Sequence, residues 1–218
     1  MNYDLNHIPD DQNVFICGMT GCGKSVLAEV YLAGKDNVIK VDTKQEYYSR
    51  KNDGEDAWRG LVEGEDYEVC FSLLEVQNSD FSRIIYVVPW EEQNSENYDK
   101  LCEYCFINGD WHLWIDEMMS FFDNAQTNIR FLRAIYTAGR TRRVVVWGCT
   151  QRPSGIPAVC IANSYHFFVF SMPQPQDRKK LSDVTGCQEL LIKPPKYTFW
   201  YYREGMDEGE PIQAKLKL

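Results

Sequence analysis

A glycine-rich segment near the start of the chain matches the pattern G-x-x-x-x-G-K-[ST]. In this pattern the glycines let the backbone turn so tightly that successive N–H groups point into one concavity, which holds phosphate oxygens. The helix that follows adds its positive N-terminal end, the lysine reaches the β- and γ-phosphates, and the serine hydroxyl binds magnesium. The segment therefore predicts a site for ATP and Mg²⁺. Its residues are Gly18, Met19, Thr20, Gly21, Cys22, Gly23, Lys24, Ser25 and Val26.

The sequence on both sides of this segment supports the prediction. An apolar, strand-like run precedes it at residues 14–17, and residues 26–29 continue it as a helix. A chance match to the fixed positions is expected in on the order of one chain in a hundred of this length. We interpret Cys22 as a small structural residue, although an oxidisable thiol at that point could affect nucleotide binding.

Two adjacent carboxylates, Asp116 and Glu117, follow the apolar run 111–115. At the end of a buried strand, Asp116 can hold Mg²⁺ through water, and Glu117 can polarise the attacking water as a general base. Taken alone, the pair is explained equally well as an acidic strand end that caps the next helix. Together with the phosphate loop it favours ATP hydrolysis, and it argues against a small-molecule kinase, which needs no water-activating glutamate.

Short apolar runs alternate with helix-like stretches along the chain, which predicts an α/β fold with a mainly parallel sheet flanked by helices on both faces. The predicted strands are Asn13–Cys17, Asn37–Asp42, Arg83–Val88, Trp111–Asp116, Arg143–Cys149 and Tyr165–Phe170, with a terminal strand at Tyr197–Arg203. The predicted helices are Lys24–Ala33, Ser95–Ile107, Asn128–Ala138 and Gln176–Val184. Residues 54–77 fit neither pattern clearly.

The composition is typical of a globular protein, with 44% hydrophobic and 25% charged residues. The length of 218 residues predicts a single domain spanning 1–218. No segment approaches the ~20 apolar residues that a membrane-spanning helix needs, and the start of the chain does not resemble a secretory leader. We therefore expect a cytoplasmic protein whose eight cysteines are reduced.

The sequence offers little evidence for a metal site built from cysteine or histidine. The C-x-x-C pair Cys102 and Cys105 lies on a predicted helix and has no second pair at a suitable spacing, so we interpret it as a core contact. The three histidines form no ligand pattern. We therefore predict no metal site besides that for Mg²⁺.

The charge is unevenly distributed along the chain. The formal net charge of −9 on its face argues against binding to nucleic acid. Residues 42–110 carry seventeen acidic and six basic side chains, whereas residues 124–176 contain six arginines and neither Asp nor Glu. Because a partner meets a local surface rather than the total charge, residues 124–176 are a candidate surface for an anionic polymer.

Three further stretches indicate a particular family. Residues 42–46 have the pattern Asp-x-Lys-x-Glu, residues 138–143 are rich in arginine, and the strand that follows ends in Thr-Gln-Arg-Pro at 150–153. Together they resemble the FtsK/HerA family of ring-shaped DNA pumps, in which a strand ending in Thr-Gln-Arg-Pro is a distinctive signature. The compact length looks most like the genome-packaging ATPases of membrane-containing icosahedral phages and related archaeal viruses. The resemblance covers roughly residues 13 to 186.

The resemblance implies a RecA-like (ASCE) P-loop NTPase fold and roles for further residues. Gln151 would be the polar sensor that touches the γ-phosphate or its water, although a satisfied amide at a strand end is the alternative. One of Arg140, Arg142 and Arg143 would be the finger that enters the neighbouring subunit's active site, where such an arginine contributes ~10³–10⁵ in rate. We favour Arg142, although a solvated basic turn explains at least one of the three. With Lys24 and Glu117, these are the predicted catalytic residues.

The resemblance also implies a function and partners. The predicted function is ATP-driven translocation of double-stranded DNA into a viral capsid by a pentameric or hexameric ring, with a capsid or portal-vertex protein as a further partner. The protein would then work in the host cytoplasm or in the virion. One alternative is an extrusion or conjugation-type DNA motor. The other, favoured by the acidic composition, is a nucleotide-dependent scaffold or switch that does not grip DNA.

Overall fold

The computed structural model describes residues 8–122, 124, 126–196, 198–205 and 211–215. The strands are β1 (Val14–Cys17), β2 (Val38–Asp42), β3 (Glu68–Cys70), β4 (Arg83–Val87), β5 (His112–Ile115), β6 (Val145–Thr150), β7 (His166–Phe170), β8 (Phe199–Arg203) and β9 (Ile212–Ala214). The helices are α1 (Lys24–Ala33), α2 (Glu46–Asn52), α3 (Leu73–Asn78), α4 (Ser95–Asn108), α5 (Arg130–Ala138), α6 (Ala158–Ala162) and α7 (Pro175–Thr185). Short 3₁₀ turns connect several of these elements.

These strands form one nine-stranded sheet in the order β3-β4-β2-β5-β6-β1-β7-β8-β9. Strands β1 to β7 pair in parallel, and β8 and β9 add to the β7 side as antiparallel strands. Strands β1, β2, β5, β6 and β7 are buried along their whole length. This burial agrees with their continuous apolar sequences, since helices cover both faces of a parallel sheet.

The two faces of the sheet have separate hydrophobic cores. On one face, α4, α5, α6 and α7 contribute apolar side chains such as Leu101, Leu132 and Leu181. On the other, Leu27 and Leu32 of α1 pack with Trp58, which lies in the irregular segment between α2 and β3. The sheet is thus held rigidly from both sides, which fixes the ends of its strands. None of the helices in the described ranges has both the length and the apolar character needed to cross a bilayer.

The six predicted inner strands and the four predicted helices are confirmed, with ends that agree within two residues. The terminal strand is confirmed as β8, and Tyr197 lies outside the described residues. The unassigned region 54–77 contains β3 and most of α3. Elements absent from the sequence prediction, such as α2, α6 and β9, have seven residues or fewer, and too few residues repeat in them for periodicity to show.

The order of the strands brings the predicted chemical residues together. Strand β6 lies between β1, which precedes the glycine-rich segment, and β5, which precedes Asp116. Because the parallel strands all end on the same side, the segments after β1, β2, β5 and β6 meet there. We call this side the carboxyl end of the sheet and the opposite side the amino end. An added strand between the phosphate-loop strand and the acidic strand is the ASCE arrangement, so the predicted fold class is confirmed.

Two histidines at the amino end of the sheet are buried as neutral rings. His112 begins β5 and His166 begins β7, with 7% and 2% of their surfaces exposed. Burial lowers the pKa of each from 6.5 to about 4. His166 Nε2 lies 2.6 Å from Gln12 Oε1, and its Nδ1 lies 2.9 Å from the Tyr201 hydroxyl, so in a neutral ring Nε2 would donate and Nδ1 would accept. These contacts match a neutral imidazole.

We expect the free energy of unfolding to fall as the pH drops from 7 towards 4. Below about 6.5 the unfolded chain binds protons on His112 and His166, whereas the folded chain does not until the pH reaches about 4. The expected loss at pH 4 is roughly 2–4 kcal/mol for each histidine. Denaturant unfolding at a series of pH values measures the slope, and His166→Gln should flatten it. An unchanged slope in that variant would contradict the assignment.

Candidate nucleotide-binding site

The glycine-rich segment forms a tight loop between β1 and α1 at the carboxyl end of the sheet. The φ angles of Gly18, Gly21 and Gly23 are 153°, 72° and 105°, which L side chains rarely adopt. A Cβ added at Gly18 would lie 2.5 Å from Cβ of Phe170. The base of the loop therefore packs directly against the end of β7. Its backbone is also tied to β6, because the amide of Gly18 donates to the carbonyl of Thr150 at 3.2 Å.

The loop has the features that a phosphate group requires. Among the described residues, no backbone carbonyl accepts a hydrogen bond from the amides of Gly21 and Gly23, so these donors are available to an anion. A Cβ added at Gly21 would meet nothing within 4 Å. Lys24 is 6% exposed, and its Nζ donates to the carbonyls of Gly18 and Met19 at 2.9 and 3.1 Å. A cation and free amides therefore share one open concavity.

Cys22 lies at the base of the same loop. Its Sγ is 2.8 Å from the position that a Cβ of Gly18 would occupy. Burial raises the pKa of its thiol, and this outweighs the opposite effect of the Lys24 charge. The thiol is therefore protonated at neutral pH, which supports the interpretation of Cys22 as a small packing residue.

Asp116 links the phosphate loop to the ends of strands β5 and β2. It follows β5, is 1% exposed, and accepts from the hydroxyl of Ser25 at 2.8 Å and from Lys44 Nζ at 2.8 Å. Burial alone would raise the pKa of Asp116, but the charge and hydrogen bond of Lys44, with smaller contributions from Lys40 and Ser25, lower it below its usual value. Asp116 is therefore an anion. Its oxygens and the Ser25 hydroxyl are the hard donors that Mg²⁺ prefers, so the donor set fits that ion.

Glu117 is connected to the phosphate loop through Gln151. Its Oε2 accepts from Nε2 of Gln151 at 3.1 Å, and Oε1 of Gln151 accepts from the hydroxyl of Thr20 at 2.7 Å. The other carboxylate oxygen of Glu117 accepts from the amide of Met119 at 3.4 Å, at the start of a 3₁₀ turn. The sequence analysis treated a helix cap and a catalytic position as alternatives for Glu117. In the structure its carboxylate caps a 3₁₀ turn and also faces the phosphate loop.

The rest of the Thr-Gln-Arg-Pro segment has a structural role. Asp177 on α7 is 1% exposed and accepts from Arg152 Nε at 3.1 Å and from the amide of Ser154 at 3.0 Å. The Thr150 hydroxyl accepts from the amide of Arg152 at 3.1 Å. These contacts fix the backbone on both sides of Gln151, so Arg152 anchors the segment to α7 and leaves Gln151 directed at Glu117.

The three candidate finger residues do not join this site in their own chain. Arg140, Arg142 and Arg143 lie between α5 and β6, at the amino end of the sheet, whereas the phosphate loop lies at the carboxyl end. Any action of these arginines on a nucleotide therefore needs a second copy of the chain. The sequence prediction has one of the three act in the active site of a neighbouring subunit, and their position is compatible with that prediction.

The three arginines differ in their contacts. The Nε and Nη2 atoms of Arg143 bind the two carboxylate oxygens of Asp110 at 2.7 and 2.9 Å, and Arg140 Nε lies 2.9 Å from the carboxylate of Asp11. Among the described residues, no carboxylate lies within ion-pair distance of Arg142, whose guanidinium carbon is 5.5 Å from the ring centre of Phe106. Of the three, Arg142 is the one whose charge is not neutralised by a described residue.

Lys44 is the residue of the site that the sequence prediction missed. The pattern Asp-x-Lys-x-Glu at residues 42–46 supported only a family resemblance, without a role for its lysine. The available signal was its place directly after a predicted strand, which puts Lys44 at the carboxyl end of a parallel sheet. The pairing of β2 with β5, seen only in the structure, is what brings it beside Asp116.

The strand order and the loop give this chain the fold of the RecA-like P-loop NTPases. A model of the family described as RNA helicase matches residues 14–98, which include the phosphate loop but form less than half of the chain. No curated protein sequence matches the chain significantly.

Solved structures of two packaging NTPases and of VirB4 have a similar fold. The genome packaging NTPase B204 from Sulfolobus turreted icosahedral virus 2, in complex with ATP-gammaS, superposes with a TM-score of 0.71 at 18% identity, over 95% of this chain and 98% of that chain. B204, the DNA-packaging ATPase from Sulfolobus turreted icosahedral virus, gives 0.68 at 20% identity, over 94% and 97%. VirB4 of Thermoanaerobacter pseudethanolicus gives 0.62 at 12% identity, over 99% and 93%. The resemblance indicated by the sequence is confirmed at the level of the fold.

We expect Gly18→Ala to abolish nucleotide binding, because the new Cβ would clash with Phe170 and push the loop away from β7. Gly54→Ala is the matched control, since Gly54 also has a positive φ, of 73°, but an added Cβ there meets nothing within 4 Å. Both changes cost about 1 kcal/mol of backbone strain. Titration with a fluorescent ATP analogue distinguishes them. Equal affinities in the two variants would show that the base of the loop does not shape the site.

Proposed function

We propose that this protein is an ATP-driven translocase of double-stranded DNA that works as a ring, in a viral genome-packaging motor. The observation that carries the proposal is the hydrogen-bond chain from Glu117 through Gln151 to Thr20, which links a candidate water-activating base to a phosphate loop. The similar structures include proteins described as a genome packaging NTPase and a DNA-packaging ATPase. These descriptions support the choice of DNA as the substrate.

ATP binds through its phosphates at the loop. Lys24 exchanges its contacts with the loop carbonyls for contacts with phosphate oxygens, and the amides of Gly21 and Gly23 donate to the same groups. Ser25 and Asp116 would hold Mg²⁺, which would supply positive charge next to the phosphate groups.

Hydrolysis uses Glu117 as the general base. Its carboxylate accepts a proton from the attacking water, while Gln151 donates to that carboxylate and holds it towards the loop. The Gln151 side chain also accepts from Thr20, so displacement of the loop changes the position of the base. This connection gives Gln151 the role of a sensor that couples the state of the phosphates to movement of β6.

The arginine cluster acts between copies of the chain. Arg142 lies at the opposite end of the sheet from its own phosphate loop, so only a head-to-tail arrangement brings it to a nucleotide. Head-to-tail contacts that close form a ring, and we propose a pentamer or hexamer. In the neighbouring site the guanidinium stabilises the charge that develops during phosphoryl transfer.

DNA contacts the arginine-rich segment 124–176. Residues 124–176 contain no acidic side chain, and Arg130 and Arg133 of α5 are exposed. Affinity for DNA depends on the cations that replace its counterions locally, so a channel lined by this region is compatible with a net charge of −9. We propose a capsid or portal-vertex protein as a further partner, and the motor works in the host cytoplasm or in the virion.

A second candidate function is a nucleotide-dependent scaffold or switch. The acidic composition favours it, since seventeen acidic residues lie between 42 and 110. A DNA motor for conjugation or extrusion is a third candidate, and a similar fold in a solved structure described as the conjugation coupling protein TcpA supports it. Chromatography on a DNA column with a rising salt gradient distinguishes the motors from the scaffold. A motor is expected to elute at high salt despite its acidic composition, whereas a scaffold is expected not to bind the column.

We expect Glu117→Gln to bind ATP with parental affinity and to lose at least about 100-fold in steady-state hydrolysis, because the amide cannot accept the proton. Glu91→Gln, at an exposed carboxylate outside the site, is the control and should hydrolyse ATP at the parental rate. Lys24→Ala should lose binding itself. Hydrolysis by Glu117→Gln near the parental rate would refute the assignment of the base.

We expect double-stranded DNA to stimulate ATP hydrolysis. We also expect Arg142→Ala to inhibit hydrolysis by the parental protein when the two are mixed. In a ring with shared sites, the rate falls faster than dilution predicts as the fraction of variant rises. Lys100→Ala, at an exposed lysine of α4, should give no such effect. A hydrolysis rate that does not change when DNA is added, and that falls linearly with the fraction of Arg142→Ala, would favour the scaffold.

A further inference from the structure

We propose that Lys44 is a positioning residue that serves as a resident cation of the nucleotide site and partly substitutes for Mg²⁺ when phosphates enter. This inference rests on the proposed function, because it assumes that the loop binds ATP. It adds a role that neither the phosphate loop nor the acidic pair supplies. The role is to set how strongly nucleotide binding depends on the metal.

The contacts of Lys44 place its charge at the metal-binding carboxylate. Its Nζ lies 2.8 Å from one oxygen of Asp116 and 3.8 Å from Oε1 of Glu46. The other oxygen of Asp116 accepts from Ser25 at 2.8 Å. One carboxylate therefore joins the lysine to the predicted metal ligand of the phosphate loop. Among the described residues, Lys44 is the cation within ion-pair distance of Asp116.

The backbone around Lys44 is fixed on both sides. The two oxygens of Asp42 accept from the amides of residues 46 and 47 and so hold the start of α2. Gln45 has the left-handed conformation, with φ of 57° and ψ of 37°, which is uncommon for a residue other than glycine. Its side-chain amide donates to the carbonyl of Val88 at 3.0 Å, and Gln93 donates to the carbonyl of Thr43 at 2.7 Å. Such backbone strain persists where the surroundings enforce it, often at functional sites.

The surroundings of Lys44 are strongly negative. Its side-chain nitrogen lies 2.8 Å from a carboxylate oxygen of Asp116 and 3.8 Å from one of Glu46, and Glu117 follows Asp116 directly in the chain. The lysine is therefore a positive charge among three carboxylates. Without it, these carboxylates would repel the phosphates of a nucleotide, and they would do so most strongly when no metal is bound.

The arrangement makes Lys44 and Mg²⁺ partial substitutes for each other. Both neutralise Asp116, and two cations at one carboxylate repel each other. Removal of the lysine should therefore raise the affinity of the site for Mg²⁺. It should also weaken metal-free nucleotide binding more than metal-bound nucleotide binding. A side chain that only packs would weaken both forms equally.

The test measures affinity for a fluorescent ATP analogue, with EDTA and with saturating Mg²⁺. In Lys44→Met we expect the affinity to fall by about tenfold or more in EDTA and by less than about threefold with Mg²⁺. The Mg²⁺ concentration for half-saturation of the protein–nucleotide complex should fall as well. Lys44→Arg keeps the charge and should restore the parental ratio, and Lys51→Met, at an exposed lysine of α2, should not change it.

Lys44→Gln is a second neutral variant, which keeps a hydrogen-bond donor towards Asp116 and serves if Lys44→Met does not fold. Equal loss of affinity in EDTA and in Mg²⁺, or no loss, would overturn the role of Lys44 while leaving the proposed function intact. Failure of the parental protein to bind the analogue under either condition would overturn both.

Discussion

The arrangement of the site depends on one buried charge, the carboxylate of Asp116, which is 1% exposed. An ion in that position is stable only when it is paired and hydrogen-bonded. Its partners come from α1 through Ser25 and from the loop after β2 through Lys44. Two segments far apart in sequence therefore have to converge at the end of β5, and the order of the sheet is what allows them to do so.

Those features that follow from spacing or from the direction of a strand could be predicted from the sequence. The phosphate loop has a mechanical requirement for glycines, which the φ angles of Gly18, Gly21 and Gly23 satisfy. The inner strands have continuous apolar sequences because helices cover both of their faces. Asp116, Glu117 and Gln151 could be expected to meet, since each follows a strand that ends on the same side of the sheet.

The contacts between side chains could not be predicted in the same way. Lys44 reaches Asp116 only because β2 lies next to β5, and the order of strands is a long-range property that local sequence does not specify. The three arginines look alike in the sequence, but their partners at residues 11 and 110 are fixed by the fold. Short elements such as β3 and β9 are stabilised by pairing with their neighbours rather than by their own periodicity.

Strand β6 forms a mechanical connection between the two ends of the sheet. It carries the arginine turn before its first residue and Gln151 after its last, and it lies between two other buried strands. Six residues of strand form a nearly inextensible strut of about 20 Å. In a head-to-tail ring, a displacement that begins at the γ-phosphate of one copy would be delivered along this strut to the nucleotide of the next. How much of that displacement arrives would then depend on the stiffness of a single strand.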